Sequence, residues 1–364
     1  MKPLLIVSMC GISILLNTNG QSRSIINKYA NLKDKPQQPD PDINHLEQAI
    51  EHARASLVKA NLQEVAKLSA ELNTLFYFYN QQKFPVNDQH FLIHTDTWLG
   101  REAVALIEDY LHKNGIHQVR TYGHLRTDDL AEFQMTLTEM VRDLGPELQS
   151  YREQGHRIIF NLTAGFKSIQ GFLQALAPIY ADEVIYIFES QSELFRIPRL
   201  PLRLDIDGWI EQNVNSIRCL SLGLPIAQMT NLPDSLVMKI DNQLTLTPWG
   251  EAIWQQRKKD LYAQELLPPP YERIVYGPNF KKSTEGLEPD RLSLVNECID
   301  KLARYIATNR QKHLASLGLK QLRGNPMPPS THECDVWSDK DARRIFLHYE
   351  GDKLVLDKLG KALH

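Results

Sequence analysis

Asn161-Leu162-Thr163-Ala164-Gly165-Phe166-Lys167 stands between a short apolar run and a segment with helical periodicity. A loop of this kind can hold an anion. Helix N-terminal amides are unsatisfied donors, Gly165 lets a ligand approach the backbone, Thr163 offers a hydroxyl and Lys167 a positive charge. Two other polar loops follow apolar runs: residues 8–13, with Ser8, Gly11 and Ser13, and Thr95-Asp96-Thr97 before Gly100. The plainer reading of any one loop is a tight turn with helix-capping hydroxyls. All three together point to one ligand-binding edge. A second set of reactive groups lies near the end of the chain: His332, Arg343, Arg344, His348, Lys358, Lys361 and His364, with Lys320 and Arg323 before them. Histidine, lysine and arginine suit metal-free phosphodiester cleavage, in which a hydroxyl loses a proton, the phosphate gains charge and a leaving oxygen is protonated. Arg343 and Arg344 are neighbours in a strand, so they point to opposite faces and only one of them meets a substrate. The plainer readings are a structural His348, a frayed His364, and Lys320 and Arg323 that only grip a phosphate backbone.

These groups need a scaffold to position them. Apolar runs at 4–7, 90–94, 118–122, 157–161 and 183–188 alternate with helical periodicity at 46–75, 100–111, 130–151 and 168–177. Strands alternating with helices, without hairpin signals, predict a doubly wound parallel sheet over residues 1–205. In such sheets the loops leaving the strand carboxyl ends bind ligands. Residues 206–267 predict helices, then strands at 236–240 and 244–247 about the turn Asp241-Asn242, then a helix opened by Pro248, the pattern of a winged helix-turn-helix. That unit carries few basic residues before Arg257, Lys258 and Lys259, so it reads as a structural or dimerising connector and DNA is not its expected partner. Residues 267–271, with three consecutive prolines, read as a linker. Beyond it, a helix over 290–315 and strands at 331–337, 342–349 and 353–359 predict a small α+β domain over 268–364.

The chain has 364 residues, 42% hydrophobic and 23% charged, which excludes a fibrous or largely disordered protein. Its net charge of −3 divides unevenly: from Tyr271 onward 16 Lys and Arg stand against 13 Asp and Glu, about +3, leaving about −6 for the rest. A basic tail on an acidic body suits an anionic partner for the tail. Cys10, Cys219, Cys298 and Cys334 are scattered without metal-ligand or redox spacing. They read as reduced thiols of a cytoplasmic protein, with no metal site expected and Cys334 as an apolar filler. Residues 1–17 open like a secretory signal, but Ser8, Cys10, Gly11 and Ser13 interrupt the run, so none is expected. No later run is long enough to span a membrane, and no membrane partner is expected.

The apolar strand with Ser8 and Gly11, the Thr95-Asp96-Thr97 segment and above all Asn161-x-Thr163-x-Gly165-x-Lys167 resemble the CARF domains, Rossmann-like sensors of CRISPR type III ancillary proteins. The resemblance covers about the first 200 residues. It implies a homodimer that binds one cyclic oligoadenylate, most often cyclic tetra-adenylate, across its two-fold axis. The ligand residues it implies are Ser8, Gly11, Ser13, Thr95, Asp96, Thr97, Asn161, Thr163, Ala164, Gly165 and Lys167. Ala164 replaces the second glycine of many members, and ligand cleavage by the sensor stays open.

Leu319-Lys320-Gln321-Leu322-Arg323-Gly324, His332-Glu333, Ala342-Arg343-Arg344-Ile345-Phe346 and residues 354–359 followed by Gly360-Lys361 resemble the RelE superfamily of toxin ribonucleases. That likeness implies cleavage of messenger RNA, in many members on the ribosome. It implies Arg344 on the scissile phosphate, Lys361 as the basic residue after the last-strand glycine, and His332 or His364 as general base or acid. His348 shares the parity of Arg344 and is a further catalytic candidate, with Lys320, Arg323, Arg343 and Lys358 as RNA contacts. No tyrosine follows Lys361 and the family's first-strand lysine pair is absent, which leaves individual roles open.

The expectation is therefore a sensor, a connector and an effector, without a cofactor and with a cyclic oligoadenylate as activator. The rival from the binding class is a ligand-controlled DNA-binding transcriptional regulator. A nucleotide-dependent enzyme in the first domain is disfavoured, because no G-x-G-x-x-G follows the first strand.

Overall fold

The computed structural model describes residues 2–38, 40–126, 129–188, 193–201, 207–226, 235–240, 243–308, 317–324 and 326–363. The chain divides into two compact units, Met1–Arg203 and Leu204–His364. Along the first unit run β1 (Leu4–Met9), α1 (Ser13–Thr18), α2 (Arg23–Tyr29), α3 (Pro41–Lys59), α4 (Leu62–Leu68), α5 (Ala70–Phe78), β2 (Gln89–Thr95), α6 (Trp98–Lys113), β3 (Val119–Leu125), α7 (Leu130–Glu153), β4 (Arg157–Asn161), α8 (Lys167–Tyr180), β5 (Glu183–Phe188) and β6 (Glu193–Pro198). The strands form one six-stranded sheet in the order β3-β2-β1-β4-β5-β6. It is parallel from β3 to β5, and β6 adds an antiparallel edge that the sequence did not predict.

Strand residues are apolar on both faces because helices cover both. Ile6, Leu92, Ile159 and Ile185 join a core with α1, α3, α5 and α6. The alternate residue Phe91 meets Tyr151 of α7 edge to face across the sheet's other side. The apolar run at the start of the chain is thus the middle strand, and its loop opens where the strand order reverses between β1 and β4.

In the second unit follow α9 (Asp207–Gln212), α10 (Val214–Ser221), β7 (Val237–Ile240), β8 (Gln243–Leu246), α11 (Pro248–Gln264), β9 (Ile274–Tyr276), α12 (Phe280–Ser283), α13 (Pro289–Ala307), β10 (Lys320–Gln321), β11 (His332–Trp337), β12 (Arg343–Glu350) and β13 (Lys353–Lys361). β7 and β8 pair as an antiparallel ribbon, and their expected turn at Asp241-Asn242 lies outside the described residues. One apolar core gathers α9, α10, α11 and this ribbon, with Ile217, Leu246 and Trp254 inside. A second packs α13, through Val295, Ile299 and Leu302, on a five-stranded sheet ordered β10-β11-β12-β13-β9.

The proline-rich stretch does not behave as a free linker. Asn296 Oδ1 accepts from the Leu267 amide at 3.0 Å, Arg218 donates to the Pro268 carbonyl at 2.7 Å, and Cys219 donates to the Pro270 carbonyl at 3.2 Å. Backbone polar groups removed from water need partners, and here α10 supplies donors and α13 an acceptor. Arg218 also donates to Asp300 Oδ1 at 2.5 Å, while Tyr262 donates its hydroxyl to Asp300 Oδ2. Arg218 and Asp300 are both buried, so an ion pair joins α10 of one core to α13 of the other.

Candidate functional sites

Ser8 and Asn161 are register partners at the carboxyl ends of β1 and β4. Asn161 Nδ2 donates to Ser8 Oγ at 3.3 Å and to the Glu71 carbonyl at 3.2 Å. The centre of this edge is Glu71 in the first turn of α5, buried to 1% exposure. Its carboxylate accepts from the Gly11 amide at 2.7 Å, Ser13 Oγ at 2.9 Å and Ser69 Oγ at 2.6 Å. Three donors on a carboxylate at a helix N-terminus offset the cost of burying it. One turn on, Thr74 donates to Thr163 Oγ1 at 2.6 Å, and the Ile187 amide donates to the same oxygen at 3.0 Å.

The two glycine loops touch. A Cβ on Gly11 would stand 2.9 Å from the Gly165 amide nitrogen, and Gly165 holds φ +98° with Met9 beneath it. Gly165 is therefore required both by its backbone conformation and by its neighbour. Ala164 is buried, and its carbonyl accepts from Gln170 at 2.8 Å. Thr97 caps α6 through the Gly100 amide at 3.2 Å and meets Thr95 Oγ1 at 3.1 Å, while Asp96 pairs with Arg101 at 2.7 Å. The motif hydroxyls and amides thus bind one another or α5. The most exposed residues of this edge are Phe166, Lys167 and Ser168, at the start of α8, which has no side-chain cap.

Register sorts the residues of the second unit by face. Arg344 stands opposite Asp335 and Gly360, Phe346 opposite Glu333 and Lys358, and Glu333 opposite Lys320. These side chains share the face turned away from α13, because the alternate residues Cys334, Ile345 and Leu347 belong to the α13 core. Arg344 is held by carboxylates: Nη1 donates to Glu333 Oε1, and Nε lies 3.0 Å from Asp335 Oδ1. To hold a phosphate it would have to exchange these partners. His348, four residues along β12 and so ~13 Å away along the strand, places Nδ1 2.9 Å from Asp357 Oδ2. Ser330 donates to the same oxygen at 2.7 Å. Lys358 is exposed and makes no ion pair among the described residues.

Other expected residues lie elsewhere. His332 pairs in register with Leu347, which puts it on the α13 side, where its ring meets Tyr349 edge to face. Lys361 pairs with Arg343 on that same side and is 77% exposed, with Asp341 near both. The structure therefore does not bring His332 or Lys361 to Arg344. The alternation of the sheet turns them away. Lys320 and Arg323 are exposed at the β10 edge, and His364 lies outside the described residues. Cys334 is fully buried with Sγ 3.6 Å from Cys298 Sγ, and neither forms a disulfide.

Residues 66–200 match the model of a family described as CRISPR-associated protein (Cas_APE2256). This chain resembles a CRISPR-associated protein. The matched segment runs from within α4 past β6 and includes Glu71, Thr74, Asp96 and the 161–167 loop. The β1 loop and the second unit lie outside it. No curated protein matches the chain. No helix among the described residues is long and apolar enough to cross a membrane.

Glu71 and Asp357 were not among the residues expected from sequence. Glu71 left a signal, because it occupies an apolar-stripe position three residues after Leu68 and four before Leu75. Asp357 left none, because its position depends on an irregularity in strand pairing.

Proposed function

We propose that this CRISPR-associated chain is a ribonuclease switched on by a cyclic oligoadenylate, with cyclic tetra-adenylate the first ligand to test. In this reading the first unit binds the signal at the edge formed by residues 8–13, 95–97 and 161–167, as a homodimer. The second unit cleaves messenger RNA on the ribosome. The observation that carries the proposal is the outer face of the second unit's sheet, where an imidazole with one ring nitrogen held by a carboxylate shares that face with Lys358, which makes no ion pair among the described residues. An imidazole and an ammonium on one face suit attack by a 2′-hydroxyl on its own phosphodiester: one removes a proton and the other stabilises phosphate charge.

Lys320 and Arg323 extend positive charge along the β10 edge. The match to a CRISPR-associated family supports the defence setting, and the CARF and RelE resemblances supply the ligand and substrate classes. The DNA-reading alternative is weakened by Lys258, whose ammonium lies 3.8 Å from Asp300 Oδ2 and over the Tyr262 ring.

The test is cleavage of ribosome-bound messenger RNA with and without cyclic tetra-adenylate. Cleavage should rise at least tenfold with ligand (~1.4 kcal/mol of differential affinity for the active state), and Lys358→Ala should reduce it. Equal cleavage in both conditions defeats the switch, and none in either defeats the ribonuclease.

A further inference from the structure

We infer that Asp357 is the positioning residue that fixes His348 as the general base, an assignment that rests on the ribonuclease reading. In β13, Leu356 stands opposite Leu347 and Lys358 opposite Phe346, so Asp357 is an extra residue without a register partner. This is a β-bulge, and a bulge re-aims side chains. Leu356 and Leu359 keep their places in the α13 core, while Asp357 reaches His348 on the outer face.

The geometry at Asp357 fixes one tautomer. Its carboxylate is only 10% exposed, and it receives the Ser330 hydroxyl and His348 Nδ1, the latter 2.9 and 3.0 Å from its two oxygens. An ionised carboxylate only accepts hydrogen bonds, so the proton of a neutral His348 sits on Nδ1 and the lone pair on Nε2. Nε2 has no partner among the described residues and is open to solvent. Ser330 is buried at 2% exposure and steadies the carboxylate from behind.

In the reaction, the 2′-hydroxyl proton passes to His348 Nε2, O2′ bonds to phosphorus and the P–O5′ bond breaks. O5′ takes a proton from water, and the imidazolium, stabilised meanwhile by Asp357, returns its own proton to solvent. A 2′,3′-cyclic phosphate and a 5′-hydroxyl result, with no net gain or loss of protons or electrons.

The test is long-range proton–nitrogen NMR of the full chain labelled with 15N-histidine, with His348 identified by its absence in His348→Gln. Wild type should show Nδ1 protonated and Nε2 bare. Asp357→Asn should move the population towards the opposite tautomer and lower kcat at least about tenfold while KM stays within about twofold. An Nε2-protonated His348 in wild type overturns the assignment, as does an Asp357→Asn chain with unchanged tautomer or unchanged kcat. If Asp357→Asn does not fold, the wild-type spectrum alone decides. If wild type cuts no RNA with ribosomes and cyclic tetra-adenylate, the ribonuclease reading fails, while the tautomer still judges the Asp357–His348 pair.

Discussion

His90 is the second residue of β2, with both ring nitrogens buried and without a hydrogen-bond partner among the described residues, and burial pushes its pKa down to about 4. In the unfolded chain an imidazole titrates near 6.5, so between those values the unfolded state binds the extra proton. This contribution to stability is intact above about pH 6.5 and is lost progressively as pH falls towards 4. By pH 5 the loss reaches about 2 kcal/mol. Urea unfolding at pH 7 and pH 5 should show that loss in wild type and a smaller one in His90→Leu. Equal losses would mean that His90 finds a partner or water in solution. Among single residues, Glu71 was legible as a break in an apolar stripe, whereas the carboxylates holding Arg344 were not, because cross-strand partners depend on register.

Strands β1, β2, β4 and β5 were readable as short apolar runs because helices cover both of their faces. β6 was not. Its exposed edge carries Arg196, spent on Glu183, and shows no regular alternation of burial. The three-residue β9 is too short for any period to show. The loops were legible as polar and glycine-bearing, but not that their hydroxyls would bind α5, since nothing local in sequence joins Ser13 to Glu71. The contact between Gly11 and Gly165 makes a prediction at this level. Gly11→Ala should push the 161–167 loop aside and cost about 1–3 kcal/mol. Gly171→Ala, on the same helix α8 with open space around it, should instead stabilise by about 0.5–1 kcal/mol. Thermal unfolding of both variants checks the pair, and equal shifts would contradict the close approach.

Within the second unit, Arg218, Asp300, Tyr262 and Asn296 tie two apolar cores into one body. The sequence separated these cores at its prolines, because a proline run usually marks a spacer and its bonding partners lie far away along the chain. Asp300→Ala leaves Arg218 buried without its carboxylate and should cost about 3–5 kcal/mol. Hydrogen exchange should then show amides of both α10 and α13 losing protection together. Loss confined to α13 would mean that the cores open independently.

The extra residue in β13 has an evolutionary consequence. An in-frame deletion of one codon at 357 or 358 would restore regular pairing between β12 and β13, and a plain ladder is the easier one to fold. The healed strand would have one outward position where the native one has two. Selection for stability alone therefore drives this strand towards losing its chemistry, and keeping the irregularity requires selection on what the outer face does.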